Sequence, residues 1–110
     1  MFGQACDLLP IVPQAINGVL CNAHISEEGA TVLIPIYPGM AEDDLVSLYW
    51  EAKSASNIYT QTVEVGRAVT FSIAKSLIAA SYGQQVIVSC FIPRNDGKHL
   101  IFANQSLLIK

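Results

Sequence analysis

Alternation of apolar and polar residues dominates the chain, and it is clearest in "DLVSLYWEA" (Asp44 to Ala52). Val46, Leu48 and Trp50 fall on one side of that run; Leu45, Ser47 and Tyr49 fall on the other. A period of two marks a half-buried strand. The rhythm returns in Thr31 to Ile36, which sets Val32, Ile34 and Ile36 against Leu33 and Pro35. Ala68 to Ile73 points Val69, Phe71 and Ile73 inward, and further on Val86, Val88, Cys90 and Ile92 alternate with Ile87, Ser89 and Phe91. Shorter strands are expected from Ile11 to Ile16, around Tyr59 to Val63, from Leu100 to Ala103 and from Ser106 to Ile109. Pro13 sends the first of these to a sheet edge, where a missing N–H is tolerated.

Turn residues separate these runs. Asn17-Gly18 reverses the chain, a loop runs to Gly29, and "YPGM" (Tyr37 to Met40) is a Pro-Gly turn whose glycine takes positive φ. Asp96-Gly97 is a hairpin signal. Ala74 to Tyr82 reads as one or two helical turns stopped by Gly83. Turn signals at roughly 8–12 residue spacing belong to an all-β sandwich. The expected fold is therefore all-β, an immunoglobulin-like β-sandwich of about seven strands with one short helical connection. Residues 1–9 form an N-terminal segment and 10–110 the domain, with Trp50, Val46, Leu48, Ile34, Phe71, Val88 and Ile109 in its core.

Composition adds a surplus. The 110 residues are 52% hydrophobic and 14% charged, against roughly 45–50% and 25% in average globular proteins. Apolar residues beyond the needs of the core sit outside, where they favour association. A net charge of −3 with six Lys and Arg gives no basic footprint for nucleic acid. No apolar run approaches the ~18 residues of a membrane-spanning helix. "MFGQACDLLPIVPQ" has no basic region and carries Asp7 and two prolines, unlike a secretion signal. The default compartment is the cytoplasm, with export by another route left open.

The order of motifs resembles a known family. "VPQAINGVL", "ATVLIPIYPGM", "DDLVSLYW", "VGRAVTFSIAKSLIAA", "GQQVIVSCFIPRNDG" and "SLLIK" are similar to an immunoglobulin-like repeat of large bacterial proteins of pseudomonad type, over about Leu9 to Lys110. The resemblance implies a binding or spacer module, often in tandem in surface or secreted proteins, with no catalytic residues to carry over. This chain departs from the pattern in having Cys at positions 21 and 90, and in opening at its own Met1 as a lone domain.

Candidate chemistry is sparse. His24 and His99 lie in loop or turn contexts with no partner at fixed spacing, and read as solvated. Glu42, Asp43 and Asp44 could offer oxygens to calcium, yet the EF-hand spacing is absent and a solvated turn before the strand is the reading preferred. Cys6, Cys21 and Cys90 have no zinc spacing. A reduced state is expected, a Cys6–Cys21 bridge stays open for an oxidising compartment, and Cys90 reads as a small buried hydrophobe. Asn104-Gln105-Ser106 fits a glycosylation pattern but reads as turn chemistry. No catalytic, cofactor or metal site is expected, and the chain is read as no enzyme.

The informative anomaly is the outward set of the sheet holding Trp50: Leu45, Tyr49, Ile87, Phe91 and Leu108, where a solvated face would carry Thr, Lys and Glu. These residues are the expected interface, unless Met1 to Leu9 covers them. The expected function is a non-enzymatic interaction module that self-associates, as a homo-oligomer, or docks on a protein partner through this face. Two alternatives are a self-assembling structural or inclusion-forming protein, and a glycan-binding module using Tyr37, Tyr49, Tyr59 and Tyr82 as stacking platforms.

Overall fold

The structure, a computed structural model, describes residues 3–6, 9–37, 39–42, 44–93, 99–102 and 104–110, with the backbone alone for 3–6 and His99. Among them run β1 (Gly3–Cys6), β2 (Val19–Leu20), β3 (Ala30–Ile34), β4 (Leu45–Glu51), β5 (Ser56–Thr62) and β6 (Val69–Ile73). A helix, α1 (Lys75–Ala80), leads to β7 (Gln85–Pro93), β8 (His99–Phe102) and β9 (Gln105–Ile109). The protein is mostly β, with one short helix. Its strands make two sheets. The larger has the order β1-β8-β7-β4-β5, with β9 also on β7 and β2 on β9; β3 and β6 make the smaller. Pairing is antiparallel except for β1 with β8 and β2 with β9.

The core follows the alternation. β3, β4, β6 and β7 bury every second residue, and the buried sides of both sheets share one hydrophobic cluster. Trp50, Val46, Leu48, Ile34, Phe71, Val88 and Ile109 all lie in it, as does Cys90. Each such side chain contributes about 1.5–3 kcal/mol on burial. Trp50 also carries a polar N–H into this apolar layer. Its indole nitrogen donates to Ser81 Oγ at 3.2 Å, and that hydroxyl donates to the Leu77 carbonyl at 2.9 Å. Ser81 is the buried polar residue among those described, so the Trp50 strand is tied to the end of α1.

Two turns form as the residues dictate. Asn17 and Gly18 both take positive φ, 52° and 77°, and reciprocal bonds between Ile16 and Val19 close the reversal. Gly39 has φ 73°, and Met40 N–H donates to the Tyr37 carbonyl at 3.2 Å. The Asp96-Gly97 signal lies outside the described residues.

Prolines account for two departures. Ile11 to Ile16 is no strand: Ile11 makes an isolated bridge to Leu33, after which Ala15 N–H donates to the Val12 carbonyl around Pro13. Proline's fixed φ suits the second position of such a turn. The second long run stops at Ile34, before Pro35 can interrupt the ladder, and Ile36 is 56% exposed instead of lying inward. Other departures come from pairing. β5 starts at Ser56, three residues ahead of the expected strand, because its polar residues pair along the whole of β4. His99 opens β8 and so is no loop residue. Toward the C-terminus, Phe91 faces Ile101 whereas Val88 faces Gln105, three steps along β7 against four along its partner. This one-residue excess is a β-bulge. It divides what would be one strand into β8 and β9, and it switches the inward positions from Leu100 and Phe102 to Leu107 and Ile109.

Candidate functional site

The outer face of the larger sheet is built by register. β4 and β7 run side by side at its centre, so their outward residues alternate across the join. Ser47 faces Phe91, Tyr49 faces Ser89 and Glu51 faces Ile87. β5 adds Ile58 opposite Tyr49, and β8 adds Ile101 opposite Phe91. Directly opposed side chains stand about 4.5–5.5 Å apart at Cβ, and diagonal ones within reach of an aromatic ring. Phe91 thus meets Ile101 directly and has Leu45 and Tyr49 as diagonal neighbours. Ile58, Leu45 and Ile101 are 59%, 43% and 42% exposed, while Tyr49 and Phe91 are half-buried.

The five expected residues form a diagonal series: Phe91 and Ile87 each stand diagonal to Tyr49, Leu45 stands diagonal to Phe91, and Leu108 stands diagonal to Ile87. Ile87 and Leu108 are half-buried, with Glu51, Ser106, Gln85 and Val19 as their direct neighbours. Ile58 and Ile101 extend the series beside Tyr49 and Phe91 and were not anticipated. Ile58 sits in a stretch whose polar residues disguise its strand. Ile101 could have been found from its place between the inward Leu100 and Phe102.

Two shallow depressions flank Tyr49. One, of about 350 Å³, lies toward β7 and β8 and is lined by Tyr49, Glu51, Ser89, Cys90, Phe91, Ile101 and Asn104. The other, of about 450 Å³, lies toward β5 and is lined by Tyr49, Glu51, Ser56, Asn57 and Ile58. Glu51 is the carboxylate common to both. The arrangement offers apolar contact with amide, hydroxyl and carboxylate groups at its margin.

β1 bears on whether this face is covered. Its backbone pairs in parallel with β8, Ala5 opposite Ile101, and so extends the sheet sideways. Residues 3–6 are a further strand in the plane of the sheet and do not lie across its outer surface.

The remaining candidates are scattered. Asp44 is more than a solvated acid: its Oδ2 accepts from Tyr37 Oη at 2.8 Å and from Ala41 N–H at 3.0 Å. It holds the loop before β4, while Glu42 Oε2 accepts from Val65 N–H at 3.3 Å. Asp43 lies outside the described residues. Tyr37 is buried edge-on against Phe102, and Tyr59 packs inward against Phe71. Tyr82 follows α1, belongs to neither sheet, and is 64% exposed. The four tyrosines therefore form no common platform. His24 is exposed on a 3-10 turn (Asn22–His24). Cys21 is half-buried and Cys90 lies in the core. Among the described residues no three His, Cys, Asp or Glu side chains converge to hold a metal ion, and no helix is long and apolar enough to cross a membrane. Compared with models of known protein families, with curated proteins and with solved structures, the chain matches none.

Proposed function

We propose that this protein is a non-enzymatic interaction module that self-associates through the outer face of its larger sheet. The observation that carries the reading is the contiguous set Leu45, Tyr49, Ile58, Phe91 and Ile101, three of them more than two-fifths exposed. Water gains by losing such a surface, and rigid rings such as Tyr49 and Phe91 give large contact area at low entropy cost. A two-fold axis through the face sets the patch against its own copy. The finer architecture fits the same role: an immunoglobulin-like sandwich, with β3 and β6 closing one side of the core, of the kind used as a binding module in bacterial repeats. That reading is supported by the order of motifs along the chain and by the parallel β1–β8 and β2–β9 pairings beside the β7 hairpin.

Phe91→Lys tests the function. Its side chain faces away from the core, so the circular dichroism spectrum stays native while the sedimenting species becomes smaller. An unchanged sedimentation coefficient with a native spectrum refutes the face as the self-contact. Continued growth of wild-type assemblies with concentration, instead of a discrete oligomer, favours a structural assembler. The two depressions beside Tyr49, with Asn57, Asn104 and Glu51 at their margins, favour a glycan-binding module as the second reading. A glycan array on which Tyr49→Ala loses a wild-type signal would support it, and an array without wild-type signal would remove it.

A further inference from the structure

β5 closes one side of the larger sheet, and among the described residues it pairs with β4 alone. Val63 N–H donates to the Asp44 carbonyl at one end of that ladder, and Ala52 N–H to the Ala55 carbonyl at the other (3.0 and 2.9 Å). The alternation of an antiparallel ladder then assigns the bonded positions to Asn57, Tyr59 and Gln61. Ser56, Ile58, Thr60 and Thr62 turn their N–H and C=O groups the other way, toward the open side. Such an edge is a template for another strand, and proteins commonly blunt it with lysine, proline, a bulge or brevity. β5 has none of these devices. It is seven residues long, "SNIYTQT", with no proline and no charge. The one local cover is Asn57 Oδ1, which accepts from Ile58 N–H at 2.9 Å. The smaller sheet differs: β6 has five residues, and its Thr70 carbonyl accepts from Gln61 Nε2 at 3.1 Å.

We propose that a second copy of this chain adds its own β5 to this edge, antiparallel and about a two-fold axis at Tyr59. Ile58 then faces the partner's Thr60, Asn57 faces the partner's Gln61, and Ser56 faces the partner's Thr62. Every pair is uncharged or β-branched, so nothing repels. The flanking charges choose the orientation. Lys53 precedes the strand and Glu64 follows it, both exposed; Glu64 Oε2 also lies 3.8 Å from Arg67 Nε in an exposed i,i+3 pair, which the partner's Lys53 would share. Antiparallel pairing brings Lys53 beside the partner's Glu64 at both ends, whereas parallel pairing would set like charges together. The axis stands normal to the sheet. The two outer faces therefore lie on the same side, joined through Ile58, and this contact is separate from the face itself.

Thr60→Pro tests the edge. The Thr60 N–H takes no part in the β4–β5 ladder, so proline is tolerated there while an incoming strand loses its bond. The expected result is half the wild-type mass by sedimentation velocity with a native circular dichroism spectrum; an unchanged mass overturns the proposal. A second pair of variants covers the case in which Thr60→Pro fails to fold. Lys53→Glu should weaken association about tenfold, and Lys53→Glu with Glu64→Lys should restore it; a Lys53→Glu without effect overturns the proposal. Phe91→Lys separates the two contacts. A mass lowered by Phe91→Lys and not by Thr60→Pro leaves the face standing and the edge refuted, the reverse pattern does the opposite, and a wild-type monomer at all concentrations refutes both.

Discussion

The two sheets are alike on their inner sides and unlike on their outer ones. Inward, β3 and β6 supply Val32, Ile34, Val69, Phe71 and Ile73, while β4 and β7 supply Val46, Leu48, Trp50, Val88 and Ile92, all buried. Outward, the smaller sheet carries Thr31, Thr70 and Ser72, with Leu33 half-buried beside its bridge to Ile11. The larger sheet carries Leu45, Tyr49, Ile58, Phe91 and Ile101 on the same side of the pleat. The core requires only the inner alternation. One sheet follows the usual rule of apolar inside and polar outside, and the other breaks it. Of the large apolar residues exposed among those described, Leu45, Ile58 and Ile101 belong to this set, while Leu9, Ile11, Ile16, Ile36, Val65 and Tyr82 lie outside it. Scattered apolar residues are normal on any protein, so what bears on the proposed contact is the adjacency of the set in register, not the amount of apolar surface.

Trp50→Ala has the largest expected effect. It empties a fully buried site in the shared core and should destabilise the protein by roughly 3–5 kcal/mol in urea unfolding, erasing both faces together. Gly29→Ala should strike the smaller sheet. Gly29 has φ 87°, and a Cβ there would overlap the carbonyl oxygen of Ile73, where β3 begins and β6 ends. A loss of about 2–3 kcal/mol is expected. The assembly below the melting temperature should keep its wild-type mass, because the proposed contact lies on the other sheet. Ser81→Ala leaves the Trp50 indole N–H without its acceptor and should cost about 1–2 kcal/mol, read in the same unfolding experiment. Ser72→Lys, on the outer side of β6, should change stability by less than about 0.5 kcal/mol and leave the sedimenting mass alone.

Sequence alone made the inward sets legible because strand geometry forces a period of two wherever one side is buried. Val46, Leu48 and Trp50, or Val86 through Ile92, are visible without any partner in view. Strand ends were harder to place. Pro13 and Pro35 each halt a ladder that the apolar pattern would carry further, and the bulge after Phe102 reverses the parity of the last strands. Long-range contacts were not legible. Trp50 and Ser81 are 31 positions apart, and no local pattern indicates that a serine after a short helix will receive an indole N–H. The site was half visible for the same reason. Leu45, Tyr49 and Phe91 stand out as apolar residues at outward positions, whereas Ile58 joins them only because β5, polar by composition, pairs with β4.

Hydroxyl-radical footprinting of the wild-type chain, dilute and concentrated, examines the face itself. Tyr49, Phe91 and Ile58 should lose reactivity as the protein associates, while Leu33 on the smaller sheet and the exposed Tyr82, which belongs to neither sheet, keep theirs. Protection of Leu33 or Tyr82 with Tyr49 and Phe91 unchanged would contradict the assignment of the contact to the larger sheet.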